Sequence, residues 1–211
     1  MDYESGFIRA YLINRNGGGK WMGVEALGVE CAEDQIIWLH WNRKHPDTER
    51  WLQDESGLDP LICEALLQEE ARPRCLAARG GLLAVLRGVN LNPGKDIEDM
   101  VSIRMWLEPG RIITLRSQRV MAVEIMREAA ERGEGPASEG EFLVRMTSGL
   151  VEAMTPVLDE MNEMMGNIEE QVMEAKSPEL RSQLSAVRRQ AIGLRRYLSP
   201  QRDVMTRLQT E

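Results

Sequence analysis

Histidine occurs only twice in this chain and cysteine three times, and the scarcity of both removes whole classes of chemistry. His40 and His45 lie in Trp38-Leu-His-Trp-Asn-Arg-Lys-His45, a spacing across a strand and a turn that is not a helical metal-ligand pair; structural roles are expected for both. Cys31, Cys63 and Cys75 contain no Cys-x-x-Cys pair, which argues against zinc-finger and dithiol redox readings. An odd cysteine count after an acidic, leaderless Met1–Glu4 suits a reduced, cytosolic setting. No phosphate loop, nucleophile elbow or His-Glu-x-x-His motif occurs, and a serine-based site would have only the two histidines to draw on. No enzyme and no required cofactor are therefore expected. Long apolar runs are missing too. The longest, such as Gly81 to Leu86, falls far short of the ~20 residues that span a bilayer. Any transport activity would reside in a part beyond this chain. A basic excess is also absent, since the net charge is −8, and nucleic acid is not an expected partner.

What is present is an ordinary folding composition: 211 residues, 43% hydrophobic and 28% charged, enough for one packed domain with an extension. Phe7 to Ile13 reads as a strand, Arg15-Asn-Gly-Gly-Gly19 as a turn, and Lys20 to Leu27 as the returning strand. Gln35 to Trp41 is another strand. Pro46 opens a helix with acidic residues in its first turn, and Asp59-Pro60 opens a second with Asp59 as N-cap. Further strands are read at Cys75–Arg79, Leu82–Leu91, Met100–Leu107 and Arg111–Arg116, then a helix over Val120–Arg132. Val101, Ile103, Met105 and Leu107 alternate with Ser102, Arg104 and Trp106, predicting one buried and one less buried face. Hairpins mixed with helices point to an α/β fold, an α/β/α layered domain with a mixed sheet.

A composition break at Gly133-Glu-Gly-Pro-Ala-Ser138 separates residues 1–138 from a helical extension at 139–211. In the extension an apolar seam runs through Leu143, Met146, Leu150, Met154, Val157, Met161, Met164, Ile168 and Val172. A second seam holds Leu180, Leu184, Val187, Ala191, Leu194, Leu198, Met205 and Leu208. Ala175-Lys-Ser-Pro178 joins them, with Ser177 as N-cap, so a long antiparallel helical hairpin is expected, kinked near Pro156 and Pro200. Residues 141–175 carry eight acidic side chains against one basic. Residues 176–211 carry eight basic against three acidic. That asymmetry predicts charge-complementary pairing of the two helices.

Candidate ligand sites are few. Asp96, Glu98 and Asp99 gather three carboxylates in the loop Gly94–Asp99, where oxygen donors can hold a hard cation, although the twelve-residue calcium pattern is missing. The plainer reading is a solvated acidic turn. Arg188-Arg189 and Arg195-Arg196 form a basic stripe whose plainer reading is the helix pairing above.

Several segments together resemble the CorA family of divalent-cation transporters, within it the zinc-transport (ZntB) branch. They are Leu67-Gln-Glu-Glu-Ala-Arg-Pro-Arg74, Leu82-Leu-Ala-Val-Leu-Arg-Gly-Val-Asn90, Met100 to Leu107 before Arg111 to Arg116, and above all Leu194-Arg-Arg-Tyr-Leu-Ser-Pro-Gln-Arg-Asp-Val-Met-Thr-Arg-Leu208. Their order covers nearly the whole chain from about Phe7. The resemblance implies a cytoplasmic regulatory and oligomerisation domain of a homopentamer, at the cytoplasmic face of the plasma membrane, with stalk and membrane helices lying beyond this chain. It also implies divalent cations as partners, a possible regulatory zinc or magnesium ion, and contact with the membrane only through the missing C-terminal segment. The family's pore carries a Gly-x-Asn motif. Gly88-Val-Asn90 spells that triplet here, but within a predicted strand, and is read as coincidence. Two rival readings stay open: a scaffold that binds another helix through the hairpin, and an enzyme with an unrecognised site.

Overall fold

The structure is a computed structural model that describes residues 6–29, 31–69, 72–174 and 178–209. Its seven strands are Phe7–Asn14 (β1), Gly19–Met22 (β2), Gln35–Asn42 (β3), Arg74–Ala78 (β4), Gly81–Gly88 (β5), Val101–Glu108 (β6) and Arg111–Arg116 (β7). They form one sheet in the order β2-β1-β3-β7-β6-β5-β4. Every neighbouring pair is antiparallel except β3 with β7, so the sheet is mixed.

Two helices, Pro46–Asp54 (α1) and Pro60–Leu67 (α2), cover one face. Asp59 caps α2 as expected, accepting from the Leu61 N–H at 2.9 Å, and His45 caps α1 through Nδ1 at 3.2 Å from the Asp47 N–H. Trp51 stacks on Trp41 with ring centroids 4.6 Å apart, and Phe7 meets Trp41 edge-on at 4.9 Å. The other face is covered by Met121–Glu131 (α3), Glu139–Glu152 (α4) and the C-terminal end of a long helix, Pro178–Leu208 (α6). Phe142 of α4 packs edge-on against Trp38 at 5.0 Å. These layers make the α/β/α sandwich, and Thr155–Glu174 (α5) pairs with α6 as the helical hairpin beyond it.

The differences from the sequence reading have local causes. The strand predicted over Lys20–Leu27 stops at Met22, and Val24–Gly28 coils into a 3-10 helix. The Glu25 carboxylate takes the Gly23 N–H at 2.9 Å, a side-chain turn that competes with the ladder. The less buried face predicted for β6 is not found, because helices close both faces of the sheet. Arg104 and Trp106 are each 1% exposed. Arg104 Nη1 donates to the Leu66 carbonyl at 2.7 Å and Nη2 to that of Glu69 at 3.2 Å. Arg43 reaches the Leu67 carbonyl at 3.0 Å, so the two guanidinium groups satisfy carbonyls that the end of α2 leaves open.

The break expected at residue 138 falls between α3 and α4, yet α4 buries Phe142, Leu143, Met146 and Leu150 in the same cluster as the sheet. The Gly133–Ser138 segment is itself tied down, since the Gly135 N–H donates to the Gly17 carbonyl at 2.6 Å. Near Pro156 the helix is divided: α4 ends at Glu152 and α5 starts at Thr155. Helix α6 continues through Pro200. The joint at Ala175–Ser177, including the predicted Ser177 cap, lies outside the described residues, as does the side chain of Val172.

Candidate functional site

The acidic loop and the hairpin meet at the end of the sheet where β5 stops and β6 begins. Asn90, 2% exposed, organises this loop. Its amide Nδ2 donates to the Asp99 carbonyl at 2.9 Å and to Gln118 Oε1 at 3.1 Å. Its Oδ1 accepts from the Asn92 N–H at 3.2 Å and from Asn92 Nδ2 at 2.8 Å, and Asn92 Nδ2 in turn donates to the Arg119 carbonyl at 3.0 Å. Gly88-Val-Asn90 therefore has structural work in this chain: Gly88 ends β5 against Leu150, Val89 is buried, and Asn90 ties the loop.

Sequence reasoning proposed Asp96, Glu98 and Asp99 as cation ligands. Asp96 and Asp99 are exposed. Glu98 turns the other way, packing so close to α6 that a Cβ on Gly193 would stand 2.8 Å from the Glu98 Cβ, and its Oε2 is buried without a hydrogen-bond partner. Among the described residues, no three acidic, histidine or cysteine side chains converge on a metal position. Within one chain these three carboxylates do not make a cation's donor set, because the loop that carries them splits between solvent and the hairpin.

The hairpin rises from this loop. Val89 and Met100 form one cluster with Met154, Val157, Met161 and Ile168 of α5 and its lead-in and with Val187 and Leu194 of α6; Ile97 of the loop and Tyr197 pack against it. The first seam is thus shared: Leu143, Met146 and Leu150 face the sheet, and the residues from Met154 to Ile168 face α6. In the second seam, Leu184 is 43% exposed, while Val204, which the spacing passed over, is buried with Met205 and Leu208 against the sheet. The expected charge pairing is not found among the described residues. Among the described residues, no ion pair within 4 Å joins α5 to α6, and Arg202–Asp203 at 3.8 Å lies within α6. Apolar packing holds the two helices, and their charged residues point to solvent at high dielectric.

Two contacts missed by the sequence reading fix α6 to the sheet. The Gln201 side chain, 4% exposed, bonds the main chain of Arg87 with both ends of its amide, and the Arg87 guanidinium lies 4.5 Å from the centre of the Tyr197 ring. A signal was present, since Leu194, Leu198, Gln201, Met205 and Leu208 share one seam and Gln201 is its single polar member.

On β3, His40 is 3% exposed. Arginine can only donate, so Arg116 Nε–H at 2.9 Å makes His40 Nε2 the acceptor and leaves the proton on Nδ1, which donates to Thr114 Oγ1 at 2.7 Å. The same oxygen accepts from Trp38 Nε1 at 2.8 Å. Burial, with the charges of Arg116 and Arg9, pushes the imidazole down to about 3, so it is neutral at physiological pH. The structural roles expected for both histidines match this placement. Among the described residues no disulfide is formed, and Cys63 and Cys75 are buried.

No helix among the described residues is long and apolar enough to cross a membrane. The profile of the CorA-like Mg2+ transporter protein family matches residues 33–211. The divalent cation transporter CmaX of Pseudomonas aeruginosa is 38% identical over 209 residues, which is 97% of this chain and 63% of that protein. The zinc transport protein ZntB of Yersinia enterocolitica is 30% identical over 204 residues, covering 97% of this chain and 61% of that protein. The chain thus spans under two thirds of the length of these relatives. Among solved structures, full-length CmaX superposes with a TM-score of 0.91 at 36% identity, over 99% of this chain and 65% of that one. The ZntB cytoplasmic domain from Vibrio parahaemolyticus superposes at 0.82 over 97% of this chain and 79% of that one; at 23% identity this is a likeness of fold.

Proposed function

Because the chain belongs to the CorA-like Mg2+ transporter family, we propose that it is the cytoplasmic regulatory and oligomerisation domain of a divalent metal-ion transporter, with zinc as the ion. The observation that carries this reading is the 38% identity to a divalent cation transporter over 97% of the chain. Zinc is favoured over other cations by the 30% identity to ZntB. On this reading the transporter sits at the inner membrane with this domain on its cytoplasmic side. Residues 1–138 act as the sensing part, and residues 139–211 transmit through α6. No catalytic role is assigned to any residue.

Assembly into a homopentamer belongs to the same proposal. Leu158, Leu184 and Ile192 are 40%, 43% and 60% exposed along the hairpin, apolar positions suited to a neighbouring copy. A regulatory zinc or magnesium ion at Asp96, Glu98 and Asp99 would need donors from that neighbour. Calorimetric titration of the assembled protein tests it, with weaker binding expected for Asp96→Ala plus Asp99→Ala.

The decisive experiment is zinc flux into vesicles carrying the product of the complete gene. Flux that depends on the metal supports the proposal. A complete gene product without apolar membrane spans overturns it.

A further inference from the structure

At the same strand end as the acidic loop, but on the β2–β1–β3 side of the sheet, lies a cavity of about 510 Å³, in the size range of small-molecule sites. Arg9, Trp21, Asn42, Arg116 and Ser117 line it. The sheet register explains why these residues meet. Trp21 of β2 stands opposite Tyr11, Arg9 of β1 opposite His40, His40 of β3 opposite Thr114, and Asn42 opposite Arg116. Four adjacent strands therefore contribute to one face. The register of β1 on β3 shifts between Phe7 and Arg9, and β2 pairs no further along β1 than Ala10, so this corner stays open.

The polar lining offers donors. Asn42 Oδ1 is already taken by the Lys44 N–H at 3.2 Å, leaving the amide Nδ2. Ser117 Oγ accepts from Arg43 Nε at 3.0 Å, leaving its O–H. Arg116 spends Nε on the neutral His40, which offers no counter-charge, and keeps its Nη groups. Among the described residues, no carboxylate lines the cavity. Among the described residues, no ion pair within 4 Å includes Arg9, Arg116 or Arg119. The acids on the neighbouring α3 are Glu124, Glu128 and Glu131, and all three are drawn to Arg127, at 3.3, 3.0 and 2.8 Å. Burial lowers the Arg116 pKa; Glu124 pulls it back up, and the charges of Arg9 and Arg119 push it down. Beside these donors Trp21 is 49% exposed, a flat aromatic shelf at the mouth.

We propose that this cavity binds a nucleoside phosphate, with its phosphate held by Arg9, Arg116, Asn42 and Ser117 and its base laid on Trp21. Two guanidinium groups suit phosphate oxygens by geometry and charge, and a base on an indole gains stacking energy that a ring-free phosphate lacks. This site is independent of the ion the transporter carries.

The test is calorimetric titration of the purified chain with AMP, ribose 5-phosphate, inorganic phosphate and adenosine, with Trp fluorescence read in parallel. AMP is expected to bind most tightly and to quench the exposed indole. Arg9→Gln and Arg116→Gln are each expected to weaken AMP by about tenfold or more. Trp21→Ala should weaken AMP and leave ribose 5-phosphate unchanged, and Arg202→Gln, remote on α6, should leave all four unchanged. Arg116 also supports His40, so the exposed Arg9 decides the outcome if the Arg116 variant misfolds. No heat with AMP, equal affinity for AMP and inorganic phosphate, or an Arg9→Gln protein that binds AMP normally would each overturn the proposal.

Discussion

The side chain of Gln201 completes the hydrogen bonding of Arg87: Oε1 accepts from the Arg87 N–H at 2.6 Å, and Nε2 donates to the Arg87 carbonyl at 2.9 Å. The reason lies in the sheet. Strand β4 pairs with β5 only from Gly81 to Val85, so Arg87 lies beyond the last rung. A helix side chain takes the place of the missing strand, and α6 is thereby locked to the sheet in one register. Any movement of this helix relative to the sheet has to break that pair of bonds.

Gln201→Ala removes the side chain that bonds the part-buried N–H and carbonyl of Arg87. A loss of about 1–3 kcal/mol is expected in urea unfolding, with faster amide hydrogen exchange at Arg87. Gln201→Glu keeps the acceptor but sets a carboxylate oxygen against the Arg87 carbonyl, and should be no better than Ala.

The hairpin separates apolar from charge contributions. Leu194 is 2% exposed in the α5–α6 cluster, and Leu194→Ala should cost about 2–5 kcal/mol. Arg195 and Arg196 are exposed and reach no partner on α5, so the double change Arg195→Glu and Arg196→Glu should leave the melting temperature unchanged. A large drop in that variant would restore the charge-pairing explanation.

His40 predicts an acid dependence. Its folded pKa of about 3 lies below the unfolded value near 6.5, so the unfolded chain binds a proton that the folded chain refuses. Stability contributed by neutral His40 is complete above pH 6.5 and falls by about 1.4 kcal/mol per pH unit on descending toward 3. Denaturant unfolding between pH 6.5 and 4.5, above the main carboxylate range, should show this slope, and His40→Gln should flatten it.

Gly81 opens β5 beneath Trp106. A Cβ there would meet Trp106 Cε2 and the Leu107 carbonyl oxygen, each at 2.8 Å. Gly81→Ala is expected to destabilise by about 1–3 kcal/mol, read by thermal unfolding, because the backbone on one side and a buried indole on the other leave little room to relax.

Local signals determined the elements of this fold. Asp59-Pro60 set the start of α2, the Asn14–Gly18 turn closed β1 on β2, and three-four spacing of Leu, Val and Met marked the long helices. Those choices depend on residues a few positions apart, which is why they can be read from the chain. The tertiary structure decided the rest. Nothing local to Arg104 says that helices will close both faces of the sheet and bury it under α2. The carboxylates of Asp96, Glu98 and Asp99 are adjacent in sequence, yet packing against Gly193 turns Glu98 away from the other two. Arg9 and Arg116 are far apart in the chain and come together only because β1, β3 and β7 lie side by side. Adjacency along the chain fixes what each segment becomes. Which side chains share a cavity, and which helix end is bolted to which strand, follows from how the layers stack.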